Sequence, residues 1–131
     1  MGDIDLFDDT AVLNLVGTQT VTATDRGSAV NVHQGNLEAR GVAILDAAAA
    51  SAGTTPTLDV KLVESDDGVT WTDVPGAAFS EVSASPLQQA IPVAIDSRKQ
   101  FVAAAYTLGA SGTSTPSFTF SVNLIGLKKY R

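Results

Sequence analysis

Hydrophobic and polar residues alternate with a period of two along most of this chain. In TLDVKL (57–62), Leu58, Val60 and Leu62 fall on one face, with Asp59 and Lys61 on the other. SFTFSVNL (117–124) repeats the pattern, placing Phe118, Phe120, Val122 and Leu124 together. Strands with one face on a core and one in water require this alternation. Further strands are expected over 11–16, 18–24, 28–33, 42–48, 70–74, 90–95 and 101–107, with Gly, Pro, Asn and Asp clustered between them. Roughly eight to ten short strands without a convincing helix indicate an all-β sandwich or barrel.

GVAILDAAAASAG (41–53) needs a choice, because alanine is the best helix former. Its first half is β-branched, and it runs through Gly53 and Pro56 directly into the strand at 57–62, so strand followed by loop is expected. An internal echo points the same way. AAAASAGTTPTLDVKL (47–62) and AAAYTLGASGTSTPSFTFSV (103–122) each pass from an alanine-rich run through Ser, Gly and Thr to Thr-Pro and an alternating strand. Two similar long hairpins in similar positions of the fold would explain it. Two irregular copies are too few for a solenoid.

A length of 131 residues suits one domain, and the eight aromatic residues among many Ala, Val, Thr, Ser and Gly suggest a thin core with some burial between subunits. The net charge of −6, from 14 acidic and 8 basic residues, argues against a nucleic-acid partner, which demands a basic patch. No cysteine is present, which removes disulfides, thiolate ligands and cysteine nucleophiles. The acidic start MGDIDLFDD is unlike a secretory signal, and no apolar run approaches a membrane span, so a soluble chain without a membrane partner is expected. Charge is segregated at the ends. Asp3, Asp5, Asp8 and Asp9 lie in residues 1–10, read as a flexible acidic arm or part of an extra hairpin, while Lys128, Lys129 and Arg131 form a basic tail at 128–131. These are the candidate contacts to a neighbouring subunit or another protein; the alternative is two solvated tails.

Catalytic motifs are absent. His33 is the single histidine, in AVNVHQG beside a turn, where a surface or capping role is expected. No Gly-x-Ser-x-Gly elbow, P-loop, dinucleotide fingerprint or EF-hand spacing occurs. A glycosidase could use two of the many carboxylates, but it also needs an aromatic-lined cleft, for which an aromatic content of 6% is meagre. The expectation is a non-enzyme with no cofactor and no metal.

The most site-like stretch is ESDDGVTWTDV (64–74), where Asp66, Asp67 and Gly68 precede the sole tryptophan, Trp71. Calcium wants six to eight oxygens, more than this loop offers, whereas Asp-Gly between alternating strands is a strong hairpin signal because glycine accepts positive φ. A hairpin turn without metal is therefore expected. Ser65, Asp67, Gly68, Thr70 and Trp71 also match the residue types of the sialidase Asp-box, Ser-x-Asp-x-Gly-x-Thr-Trp, with one residue missing between Asp67 and Gly68. That likeness indicates shared turn chemistry. Trp71 beside two carboxylates leaves open an alternative reading as a carbohydrate-binding adhesion module.

Taken together, LDAAAASAGTTPTLDVKLVESDDGVTWTDVPGAAFSEV (45–82) and SRKQFVAAAYTLGASGTSTPSFTFSVNLIGLKK (97–129) resemble the head decoration, or cement, proteins of tailed bacteriophages. The resemblance covers roughly the last two-thirds of the chain and rests on turn and strand motifs; residues 1–40 lie outside it. It implies a single β-sandwich of jelly-roll type, made in the host bacterial cytoplasm and bound to the outer surface of the virion head. Such proteins clamp neighbouring subunits of the major capsid protein, commonly as homotrimers. A tail or neck protein of the virion shares the resemblance.

Overall fold

Alternation along the chain becomes nine strands in the computed structural model, which describes residues 10–33 and 37–128. They are β1 (Thr10–Val21), β2 (Asp25–Arg26), β3 (Val30–Asn31), β4 (Leu37–Ala47), β5 (Thr57–Ser65), β6 (Thr72–Ala78), β7 (Leu87–Ala94), β8 (Phe101–Gly109) and β9 (Phe118–Lys128). Every ladder is antiparallel. One sheet has the order β1-β9-β4-β7; the second has the order β2-β8-β5-β6, with β3 also pairing β8. The chain is an all-β sandwich.

The core is what the period of two requires. Leu58, Val60 and Leu62 of β5 and Phe118, Phe120, Val122 and Leu124 of β9 are all buried in one cluster between the sheets. Burying each such side chain stabilises the fold by about 1.5–3 kcal/mol relative to exposure. Tyr106 of β8 meets Phe120 of β9 edge to face, ring centroids 5.2 Å apart, and so ties one sheet to the other.

Three expectations change. The strands expected at 11–16 and 18–24 are one strand, because register shifts between Asn14 and Val16 and between Val16 and Gln19 absorb the irregularity at Gly17. A bulge bends a strand without ending its ladder. The strand expected at 28–33 shrinks to Val30–Asn31; β2 and β3 lie on successive stretches of the same β8 edge, with Arg26 opposite Ala105 and Val30 opposite Val102. The echoed segments are not hairpins. Each crosses between the sheets, 47–62 from β4 to β5 and 103–122 from β8 to β9.

Those two crossings lie side by side, since β4 pairs β9 and β5 pairs β8. Their similar loops bond to one another. Ser51 N–H donates to Ser117 O at 2.8 Å, Ser111 N–H to Thr54 O at 2.8 Å, and Thr54 N–H to Ser114 Oγ at 2.9 Å. Gly53, at φ +110°, lets Pro116 pass so close that a Cβ would stand 2.9 Å from its Cα. The Ala48–Ala52 stretch takes no helical form because its backbone is committed to Thr119, Ser83 and Ser117.

Candidate functional site

The loop at 66–71 joins β5 to β6 as an antiparallel hairpin, with Glu64 opposite Thr72 and Val63 opposite Asp73. It is longer than the tight Asp-Gly turn the residues suggest, because Asp67 organises a wider loop. One of its carboxylate oxygens accepts from Val69 N–H at 2.8 Å, Thr70 N–H at 2.9 Å and Ser65 Oγ–H at 2.9 Å. Ser65 Oγ in turn accepts from Gly68 N–H at 2.8 Å. Gly68 sits at φ +77°, a region that favours glycine. The bonds from Thr70, Val69 and Ser65 hold the Asp67 carboxyl at a pKa of about 2, below its ordinary 3.8. Asp66 is exposed and takes no part in this network. Asp67 is thus a turn-former: one of its carboxylate oxygens is taken up by three of the chain's own donors. Among the described residues no three of His, Cys, Asp and Glu gather as a metal site.

Trp71 is half-buried, and the Arg26 guanidinium carbon lies 4.3 Å from its ring centroid. The two residues reach each other from opposite sides of the second sheet. Arg26 belongs to β2 and Trp71 precedes β6, with β8 and β5 between. At about 4.8 Å per strand, they can meet only across the outer face of the sheet. Val63 and Ala103 are opposite one another there, buried yet outside the central core cluster. The Arg26–Trp71 pair crosses the same outer face, on which β8 carries only the small side chains of Ala103 and Ala105 beside Arg26 and Val63. One indole face is therefore occupied by a cation, which argues against Trp71 as a sugar-stacking platform.

At the neighbouring end of β5, Glu64 is buried and locks the β7–β8 turn. Its carboxylate accepts from Lys99 N–H at 2.8 Å and faces Arg98 Nη1 at 3.4 Å. Arg98 Nε donates to Ala94 O at 2.9 Å, and the Arg98 carbonyl meets His33 Nε2 at 2.9 Å. His33 is exposed, and its own N–H donates to Asn31 Oδ1. The histidine ties one turn to another, as a capping residue does. Neither the Arg26–Trp71 pair nor the Glu64 lock was visible as a motif. The only signal was the lapse of alternation at Leu62-Val63, which marks where both faces of β5 become covered.

The charged termini are only partly within view. Asp3, Asp5, Asp8, Asp9, Lys129 and Arg131 lie outside the described residues, while Lys128 is the last residue of β9. Thr10 pairs with Leu127, so the two termini attach at the same end of the first sheet, away from the paired loops.

The outer face of that sheet forms a third feature. Val12, Ile125, Val42 and Pro92 stand opposite one another in register across all four strands. Val12 is 61% exposed and Val42 39%. Asn14, Asn123, Ile44 and Ala90 form the next row of the same face. No protein-family model matches the chain, and no curated protein matches it significantly in sequence.

Proposed function

We propose that this protein is a decoration protein of a tailed-bacteriophage head, bound to the outside of the shell, where it clamps neighbouring copies of the major capsid protein. The observation that carries the reading is where the phage-like segments fall. Residues 45–82 and 97–129 supply β5, β6, β8, β9 and the end of β4, and their Gly-Thr-Thr-Pro and Gly-Thr-Ser-Thr-Pro loops bond to each other. The resemblance therefore covers one contiguous structural unit rather than scattered turns. The strand orders β1-β9-β4-β7 and β2-β8-β5-β6, with six of the eight connections crossing between sheets, support the jelly-roll form of the sandwich.

The action is thermodynamic and needs no catalytic group or cofactor. A protein that binds only the mature shell stabilises that state by mass action. Many copies on one particle, grouped on the shell as homo-oligomers, trimers by the resemblance, make modest contacts sufficient. The opposite charges of the acidic arm and basic tail suit contacts with neighbouring subunits. The protein is made in the bacterial cytoplasm and resides on the virion.

Purified virions are expected to contain the protein, and particles assembled without it to release their genome at lower temperature. Adding back the purified chain restores their resistance. Virions whose protein inventory lacks this chain would end the proposal.

A further inference from the structure

We infer that the outer face of the β1-β9-β4-β7 sheet is a self-association surface, on which a second copy of this chain packs face to face about a twofold axis crossing β4 at right angles, level with Ala43. The inference concerns the free protein and does not rest on the shell-binding reading.

The argument starts from charge. Along the described side chains of these four strands, only Arg40 and Asp46 are charged, and both are exposed on the outer face of β4. They bracket Val42 and Ile44, so the outward series along β4 reads cation, apolar, apolar, anion. Neither is in an ion pair among the described residues. A twofold axis lying between the two sheets and perpendicular to β4 reverses that series. It sets Arg40 against the partner's Asp46 and Val42 against the partner's Ile44, and repeats both contacts by symmetry. The same operation opposes Pro92 to the partner's Ala90, and Ile125 to the partner's Asn123. An axis running along the strands would instead oppose Arg40 to itself. Charge therefore selects one of the two aligned packings available to a pair of sheets. Arg40 and Asp46 also each rim a shallow depression, at opposite ends of the face, that can receive the other's long or short side chain.

The alternatives within the fold are less suited to a second copy. The outer face of the other sheet carries Asp59, Lys61 and Asp73 and is spanned by the Arg26–Trp71 pair. Edge-to-edge pairing is opposed by Pro92 in β7, Pro75 in β6, the interruption between β2 and β3, and the two register shifts of β1. The available face spans about 19 Å across four strands and about 27 Å along β4. That is at the small end of specific interfaces, the class of weak and transient pairs, so association is sought at micromolar concentrations and above.

Sedimentation equilibrium of the full chain over about 1–300 µM is the test. The expected mass rises from 13.5 kDa to twice that value. Asp46→Arg places like charges together twice per dimer and weakens association at least about tenfold. The reciprocal double variant Arg40→Asp/Asp46→Arg restores it, which neither a generic sticky patch nor docking of another protein on this face would require. A wild-type chain monomeric throughout the range overturns the inference. So does a trimer mass unchanged by Asp46→Arg, or a double variant as weak as the single one.

Discussion

Removing one partner of the Glu64–Arg98 pair should cost far more than removing both. Their side chains are only 10% and 11% exposed, at a separation of 3.4 Å. Arg98→Met leaves the Glu64 carboxylate in a closed site with Lys99 N–H as its remaining donor. Breaking a buried pair in this way costs about 3–5 kcal/mol. The long separation and the retained Lys99 bond place this case near about 3 kcal/mol. For 131 residues, with an unfolding entropy of about 2.1 cal/mol/K per residue, that is a fall in Tm of about 11 °C. Glu64→Leu strands the guanidinium and Lys99 N–H and should cost a similar amount. The double variant Glu64→Leu/Arg98→Met replaces ions with apolar groups of comparable volume and should cost only about 1 kcal/mol in all, the residue of stranding Lys99 N–H, well below either single variant. Urea unfolding of the four proteins, read by Trp71 fluorescence and far-UV circular dichroism, supplies the cycle. Single variants that each cost less than about 1 kcal/mol, and that add within about 0.5 kcal/mol, would refute the reasoning. The pair would then be behaving as a solvated one.

Two other predictions concern the β5–β6 loop and its surroundings. Because the Asp67 carboxyl titrates lower in the folded chain (about 2) than its ordinary 3.8, its ionised form favours folding. That contribution is fully present above about pH 4 and is lost as pH falls through about 2. Asp67→Asn should flatten this part of the stability–pH curve, and an NMR titration of the Val69 and Thr70 amides should follow the same low midpoint in the wild type. Arg26→Gln removes the cation over Trp71 and should cost about 0.5–1 kcal/mol while shifting the indole emission. Unchanged emission would show that the pair is not formed in solution.

How legible the fold was depended on the range of the interactions. TLDVKL and SFTFSVNL announce their buried faces because side-chain direction in a strand alternates residue by residue, a purely local rule. Ser65, Asp67 and Gly68 were readable as turn-formers for the same reason, since every bond made through the Ser65 and Asp67 side chains lies within three residues. The length of that loop was less readable. The Asp-Gly pair suggests a tight turn, but which amides the carboxylate captures depends on loop geometry.

Two errors share one origin. The echoed segments looked like hairpins because a strand, loop and strand read identically whether the second strand returns to the same sheet or crosses to the other. Likewise, Gly17 suggested a strand boundary, although β9 continues to pair β1 on both sides of the irregularity. Partner choice in each case is set by residues far away in the chain.

The sequence by itself determined the all-β class, the inward faces of the main strands and the turn chemistry of ESDDGVTWTDV, because each depends on near neighbours. Only the tertiary structure decided that Arg26 covers Trp71, that Glu64 holds Arg98 34 residues away, and that Arg40 and Asp46 bracket an apolar sheet face. Those depend on which strands lie side by side. That choice is made by the collective burial of both sheets and leaves no mark on any one segment.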